Sequence, residues 1–363
     1  MMDNAGFASM RIRMFEKRLM TGEQLDRMIK APTLEAAFNV LRETRYSDLM
    51  QKVNRPEDFS QGLSHILAYE AREVAALTQD EDVKRFLFLR YDYHNIKVLI
   101  KSTTDPERYD DLLFPYGTLD ISKCERLLET KPSAGDDNQE KALLEGLAAW
   151  NKKQNPQEVD FIVDRYMYQE MNDRVKAMNS PALQQYVREM IDFTNLLSYF
   201  RGLRVERAGK ILAEAFYPGG RIRREDLFTQ DILRSPALRE SALNPAEKGA
   251  GNGDVDAQRL LVMLRRAEAS DYMIRAVRSY FETGDIGALE KARDEFAYQA
   301  AVRSGRVTSG PEVLFSYMVR VETEITNIRI ILYSVSVGKS PEEIRRDVRL
   351  SIDETERERR AHA

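Results

Sequence analysis

The sequence is poor in the side chains that most often carry covalent or metal chemistry. Its 363 residues include one cysteine, Cys124, one tryptophan, Trp150, and three histidines, at positions 65, 94 and 362. A single cysteine excludes an intrachain disulfide, and no His/Cys spacing is typical of a zinc site. Cys124 falls in a Lys-Cys-Glu-Arg segment, which predicts an exposed helix surface. No nucleophile motif of the Gly-x-Ser-x-Gly kind occurs.

Long apolar runs and an excess of positive charge are missing as well. Lys and Arg total 55 and Asp and Glu total 59, so the formal net charge is -4, unlike that of a typical nucleic-acid-binding domain. No run of about 18 apolar residues is present to span a membrane. The N-terminal segment MMDNAGFASMRIRMFEKR lacks the apolar core of a signal peptide. We therefore predict a cytoplasmic protein, which leaves open docking onto a membrane complex from outside.

What is present is a helical pattern along almost the whole chain. Segments such as LEAAFNVLRE and EKALLEGLAAW are rich in good helix formers, and signals for strands are sparse. One apolar stripe recurs every three or four positions, at Leu314, Tyr317, Val321, Ile325, Ile328, Leu332 and Val335. The stripe predicts a helix of about six turns that begins near Pro311 and stops at Gly338. The fold class predicted from these patterns is all-α.

Two stretches rich in Pro, Gly, Asn and Asp predict exposed loops, at residues 131–141 and 244–256. They divide the chain into three helical units, residues 1–130, 131–243 and 244–363. These borders are approximate, because an exchange of helices between units would shift them.

One short pattern occurs once in each unit: an acid, two further residues, an asparagine and an aliphatic residue. Average residue usage gives roughly one chance match or fewer in a chain of this length. The acid and the asparagine are three positions apart, so they share a helix face beside an apolar stripe. We interpret the pattern as one helical unit used three times. The copies are Asp92 and Asn95 within 92–100, Asp192 and Asn195 within 192–200, and Glu324 and Asn327 within 324–332.

The first copy contains His94 between its acid and its asparagine, which raises a catalytic alternative. The other copies have Thr194 and Thr326 at this position, and nothing else in the sequence supports catalysis. We therefore interpret the acid and the asparagine as structural. A buried asparagine must have hydrogen-bond partners, and this requirement fixes the register of helices or repeats.

Two glycine-containing stretches resemble phosphate-binding loops only in part. The Gly-Lys-Ser sequence at 338–340 lacks the first glycine of the motif, whose position holds Tyr333, and no strand precedes it. It is better explained as a helix stop followed by an N-cap serine. The three glycines between 249 and 253 are typical of a flexible linker. We predict no catalytic residue, no cofactor, no metal ion and no direct nucleotide binding.

Two longer segments resemble a known family. FLFLRYDYHNIKVLIKS, residues 86–102, and ITNIRIILYSVSVGKSPEEIR, residues 325–345, are similar to the signatures of the C subunit of prokaryotic V-type or A-type ATPases and ATP synthases. The d subunit of the eukaryotic V-type ATPase belongs to the same family. The middle copy, DFTNLLSYFRG at 192–202, is similar but looser.

The resemblance implies three related all-helical domains in a funnel with pseudo-threefold symmetry, peripheral to the membrane on its cytoplasmic side. It implies a non-catalytic central-stalk subunit that couples the shaft to the rotor ring during ATP-linked proton or sodium transport. The implied partners are the D-type and F-type shaft subunits and the ring proteolipid of the c or K type, with no nucleic acid. The alternative is a soluble helical-repeat adaptor, although the spacing of the copies is too long for tetratricopeptide or ankyrin units.

Loops at one end of a repeat tend to converge, so the loops after the first two copies are candidate partner contacts. An arginine cluster between 201 and 224 surrounds the second copy, and it suits either a solvated face, an acidic partner or lipid headgroups. The candidate contact residues are Pro115, Tyr116, Arg201, Arg204, Pro218 and Arg221.

Overall fold

The computed structural model describes residues 4–53, 55–104, 112–130, 135–203, 216–227 and 253–349. Within these ranges the chain is helical and forms no strand, which confirms the predicted all-α class. None of the helices described is both long enough and apolar enough to cross a membrane. The first ten helices are α1 Asn4–Glu16, α2 Gly22–Ile29, α3 Leu34–Leu41, α4 Ser47–Met50, α5 Phe59–Ala75, α6 Glu81–Ser102, α7 Ile121–Thr130, α8 Asn138–Lys153, α9 Pro156–Ala177 and α10 Pro181–Leu203. The remaining helices are α11 Arg224–Leu227, α12 Gly253–Arg266, α13 Asp271–Thr283, α14 Gly287–Ser304, α15 Pro311–Ser336 and α16 Pro341–Asp347.

The chain forms two compact units. The first unit combines Met1–Glu81 with Tyr298–Ala363, so it brings together the two ends of the chain, and the second is Asp82–Ala297. The three successive units predicted from the two loop-like stretches each hold one motif copy, and they were not drawn from packing. They stay a prediction.

The first compact unit is organised around α15. This helix has Pro311 in its first turn, and it ends at Ser336 just before Gly338, whose φ is +76°. Both predicted ends are confirmed, because proline suits a first turn and glycine tolerates the left-handed backbone. Six of the seven predicted stripe residues are buried, and Val335 is partly exposed. Within this unit α15 packs against α1, α2, α3, α5 and α16.

The second compact unit contains the tightly paired helices α8 and α9, with α7 against α8 and α10 against α9. The Asp137 carboxylate caps α8, accepting from the N–H groups of Gln139 and Glu140 at 2.8 and 3.2 Å. The predicted loop 131–141 was therefore too long, since residues 138–141 belong to the first turn of a capped helix. The predicted loop 244–256 was wrong over 253–256, which are helical, and its remainder lies outside the described residues.

Cys124 corrects another expectation. Its side chain is 6% exposed rather than on the surface, because α7 packs against α8. Burial raises the pKa of its thiol to about 12, so the thiol stays protonated at neutral pH. Trp150, on α8, is also buried.

Candidate functional site

The three acid-asparagine motifs lie on three long helices, α6, α10 and α15. We call them the first, second and third motif in chain order. Every acid and asparagine of the set is at most 8% exposed. Buried polar side chains need hydrogen-bond partners, so their partners define what the motifs do.

In the first and second motifs the asparagine carboxamide pairs with the backbone of one downstream residue. Asn95 donates through Nδ2 to the Phe114 carbonyl at 3.0 Å and accepts from the Phe114 N–H at 2.8 Å. Asn195 makes the same two bonds with Tyr217, at 2.9 and 2.8 Å. These pairs span 19 and 22 residues, so each asparagine holds the returning chain against its helix.

The acids of these two motifs bind backbone a few residues further on. Asp92 accepts from the N–H groups of Thr118 and Leu119, at 2.9 and 3.1 Å. Asp192 accepts from the N–H groups of Arg221 and Ile222, at 2.9 and 3.0 Å. In both motifs one carboxylate therefore satisfies two consecutive backbone donors. The repeated pattern in the sequence corresponds to a repeated hydrogen-bond arrangement.

A glycine stands immediately before the bound backbone in each case. A Cβ built on Gly117 would collide with the Asp92 carboxylate, and one on Gly220 would collide with the Asp192 carboxylate. Close approach of the side chain to the backbone leaves room for hydrogen alone at these positions. From sequence, these positions were predicted only as part of the loops after the first two copies. A glycine follows the acid at a similar distance in both motifs, and this shared spacing was the signal that could have predicted the backbone N–H partners of the acids.

Burial governs the electrostatics of the two aspartates. It raises the pKa of Asp92 above its usual value, against the effect of the hydrogen bonds from Thr118 and Leu119. It raises the pKa of Asp192 to about 7, against the backbone N–H groups of Arg221 and Ile222. Asp192 therefore changes its charge near neutral pH, while its backbone donors favour the charged form.

In the third motif the asparagine again binds downstream backbone, but the acid binds a different part of the chain. Asn327 accepts from the Arg349 N–H at 2.8 Å, across 22 residues, as in the second motif. Glu324 instead accepts from the Met20 N–H at 2.6 Å and from the hydroxyl of Tyr46. The third acid thus binds the N-terminal part of the chain, which lies in the same compact unit.

Glu324 also belongs to a buried charged cluster that the sequence did not reveal. Arg45, whose side chain is 12% exposed, lies 3.3 Å from a Glu70 oxygen and 3.5 Å from a Glu324 oxygen. Tyr317 donates its hydroxyl hydrogen to Glu70 at 2.6 Å and accepts from Arg45 at 2.8 Å. Burial raises the pKa of Glu70. One guanidinium thus faces two buried carboxylates. The three residues lie far apart in the sequence, so no spacing pattern could have predicted this cluster.

His94 is exposed, and its Nε2 lies 3.0 Å from the Leu112 carbonyl oxygen. Across the described ranges, no group of three His, Cys, Asp or Glu side chains is arranged to hold a metal ion. The motifs are placed to bind backbone, and the catalytic alternative gains no geometric support from His94.

The candidate contact residues of the loops differ in exposure. Pro115 and Pro218 are exposed, whereas Tyr116 is partly buried with its ring edge-on to Phe88, at a centroid distance of 5.3 Å. These residues lie two or three positions before the backbone that the acids bind. Their role in partner binding stays a prediction.

The candidate arginines lie in different settings. Arg201, on α10, forms an exposed ion pair with Glu290, and Arg221 donates to the Glu268 carbonyl at 2.6 Å. Arg204 lies outside the described residues. The predicted cluster is therefore described only in part.

Residues 8–240 and 247–347 match the family model described as the ATP synthase (C/AC39) subunit. The chain belongs to this family. The two matched ranges contain all three motifs, so the segments that carried the resemblance lie inside the family match. Membership of the C/AC39 family, inferred from two short segments, is confirmed over most of the chain.

Several curated relatives are named as C subunits of such complexes. The chain is 23% identical over 357 residues to the C subunit of the A-type ATP synthase of Methanocaldococcus jannaschii, covering 93% of this chain and 84% of the relative. It is 20% identical over 346 residues to the C subunit of the V-type sodium ATPase of Enterococcus hirae, covering 94% and 97%. It is 22% identical over 366 residues to the C subunit of the V-type ATP synthase of Deinococcus radiodurans, covering 96% and 92%.

Proposed function

We propose that this chain is the non-catalytic central-stalk subunit of a V-type or A-type ATPase or ATP synthase. In this role it is a socket between the D-type and F-type shaft subunits and the proteolipid ring of the c or K type. It transmits torque for ATP-linked proton or sodium transport. The observation that carries the proposal is the family match over residues 8–240 and 247–347. Relatives named as C subunits, which align over nearly their whole length, add support.

The motif geometry supports a mechanical role. A part that transmits torque must keep its shape under load, and close-packed helices with satisfied buried polar networks resist deformation. The first two motifs each tie a returning loop to a long helix with four backbone hydrogen bonds. The loops next to these ties would then present a fixed surface to a partner.

The proposal also places the protein at the cytoplasmic face of the membrane, attached through other subunits. Attachment through protein contacts requires no membrane-crossing helix in the described part of the chain. It does require contact surfaces, and the exposed loop residues Pro115 and Pro218 are our candidates for them.

The test is a pull-down from detergent-solubilised membranes of the source organism, with the full-length tagged chain as bait and washes of rising salt concentration. We expect recovery of both shaft subunits and the ring proteolipid. Recovery of soluble partners without proteolipid would refute the socket role and favour the soluble helical-repeat adaptor. A tagged unrelated helical protein of similar net charge controls for nonspecific capture.

A photocrosslinking residue then tests the contact surface. It is placed at Pro115 or Pro218, which are exposed, and at Tyr69, which is 47% exposed in the other compact unit, as a matched control. We expect crosslinks to a shaft or ring subunit from the two loop positions. Crosslinks of equal yield from Tyr69, or none from the loops in an assembled complex, would refute this assignment.

A further inference from the structure

A groove of about 790 Å³ lies in the second compact unit, between α12 and the segment that follows the second motif. Its volume falls in the range of small-molecule sites, roughly 300–1,000 Å³. The role proposed above does not use it. Its chemistry is therefore a separate question.

Arginines predominate among the charged residues that line the groove. Arg221 and Arg223 come from the segment after the second motif, and Arg259 and Arg266 come from α12. Asp226 is the sole carboxylate among the described lining residues, and it accepts from Arg223 at 2.9 and 3.0 Å. Four guanidinium groups thus line the groove together with a single acid.

The partner of Arg221 does little to neutralise its charge. Arg221 donates to the carbonyl of Glu268, which has no net charge, at 2.6 Å. The Glu268 carboxylate lies 3.9 Å away and is 84% exposed, so water screens the pair. The whole chain has a net charge of -4, so this group of arginines is a local feature.

The second motif prepares one wall of the groove. Asp192 accepts hydrogen bonds from the backbone N–H groups of Arg221 and Ile222. These bonds fix the position of the Arg221 backbone, and therefore the point from which its side chain extends. On α12, Arg259 and Arg266 are seven positions apart, close to two helical turns, so they share a face. A site of this kind is preorganised in part, which favours binding.

The composition of the walls indicates the ligand class. Guanidinium groups match phosphate oxygens in planar, bidentate geometry. Val262, Met263 and Ala267 add apolar surface between the arginines, and Val262 is 42% exposed. A phosphate group with an attached apolar or neutral portion satisfies both kinds of wall.

We propose that this groove binds a phosphate-bearing anion through Arg221, Arg223, Arg259 and Arg266. Two sources share this chemistry, the headgroup of an anionic phospholipid and a free polyphosphate. The inference does not depend on the socket role, because it is tested on the purified full-length chain alone.

The experiment measures binding of two probes, sodium tripolyphosphate and phosphatidylcholine vesicles with about 30% phosphatidylglycerol. The groove variant is Arg259→Gln with Arg266→Gln. The matched control is Arg265→Gln with Arg278→Gln, two exposed arginines outside the groove, so both variants lose the same charge. Circular dichroism and thermal midpoints verify that both variants fold as the unaltered chain does.

We expect the groove variant to bind at least one probe about a hundredfold more weakly, from roughly tenfold for each charge-assisted hydrogen bond that is removed. The control variant should bind within about threefold of the unaltered chain. A loss confined to vesicles assigns the site to lipid, and a loss confined to tripolyphosphate assigns it to a free phosphate compound. Equal loss in both variants, or no binding of either probe by the unaltered chain, overturns the proposal.

Discussion

Replacing Asn195 with alanine tests whether the second motif holds its loop. Asn195 is 2% exposed, and its carboxamide is bonded to both the N–H and the carbonyl of Tyr217. Tyr217 is itself 3% exposed. Alanine suits the helix but cannot reach this backbone, so the substitution leaves a donor and an acceptor without their partner in a place that water does not reach.

The magnitude follows from these two groups. Each buried polar group that loses its partner costs about 1–3 kcal/mol. The carbonyl has a second lone pair and the loop can relax, so we expect a total loss of about 3 kcal/mol in unfolding free energy. This corresponds to a change on the order of a hundredfold in the equilibrium between the closed and the open loop.

Hydrogen exchange followed by mass spectrometry is the assay of choice. A chain with two compact units need not unfold in one step, so a global midpoint alone is ambiguous. The Tyr217 N–H donates directly to Asn195, so peptides over 216–222 report the local opening. We expect them to exchange on the order of a hundredfold faster, while peptides from the first compact unit stay unchanged.

The control is Asn39→Ala, an exposed helical asparagine that accepts from Arg42 at 3.1 Å, in a bond that is itself exposed. It should change stability by less than about 0.5 kcal/mol. If Asn195→Ala leaves exchange over 216–222 as slow as Asn39→Ala does, the carboxamide does not hold the loop. The structural interpretation of the motif would then be refuted.

Three further predictions address the acid of the second motif and the buried charged cluster around Arg45. Gly220→Ala should lower stability by about 1–3 kcal/mol, because the added Cβ meets the Asp192 carboxylate, and unchanged hydrogen exchange over 216–222 would contradict this. The pKa of Asp192 is about 7 in the folded protein and near 3.9 when unfolded, so the folded state holds an extra proton between these values. Its contribution to stability should therefore fall by about 3 kcal/mol as pH rises from 4 to 7, and denaturation of Asp192→Asn across this range should lack that part of the slope. Arg45→Met should lower the free energy of unfolding by about 3–5 kcal/mol at pH 7, because it leaves two buried carboxylates without their cation. The loss should be smaller at pH 4, where Glu70 takes up a proton more readily. An equal loss at both pH values, measured by urea denaturation, would argue against charge as the cause.

Local patterns in the sequence predicted those features that depend on neighbouring residues. The apolar stripe of α15, its first-turn proline and its terminal glycine act within a few turns, so they were readable directly. The repeated acid and asparagine were also visible, because the same local arrangement recurs. The start of α8 was missed because Asp137 looks like a loop residue in composition while acting as an N-cap.

Local sequence patterns could not predict contacts between segments that are far apart in the chain. Cys124 looks exposed from its charged neighbours, and only the packing of α7 on α8 buries it. Arg45 meets Glu70 and Glu324 across a large separation in sequence. The groove combines residues near 221 with residues near 266, and no periodicity links these two stretches.

The third motif explains why the first compact unit contains both ends of the chain. Asn327 still binds downstream backbone, at Arg349, but its acid binds Met20. Glutamate is one methylene longer than the aspartate of the other motifs, which gives it the reach to accept from the Met20 N–H and the Tyr46 hydroxyl together. The same repeated arrangement thus ties a loop to its helix in two motifs, and in the third it ties Met20 and Tyr46 to α15. Opening of the segment around Met20 must therefore break a buried hydrogen bond to α15 in addition to apolar packing, so we expect slow hydrogen exchange at the Met20 N–H.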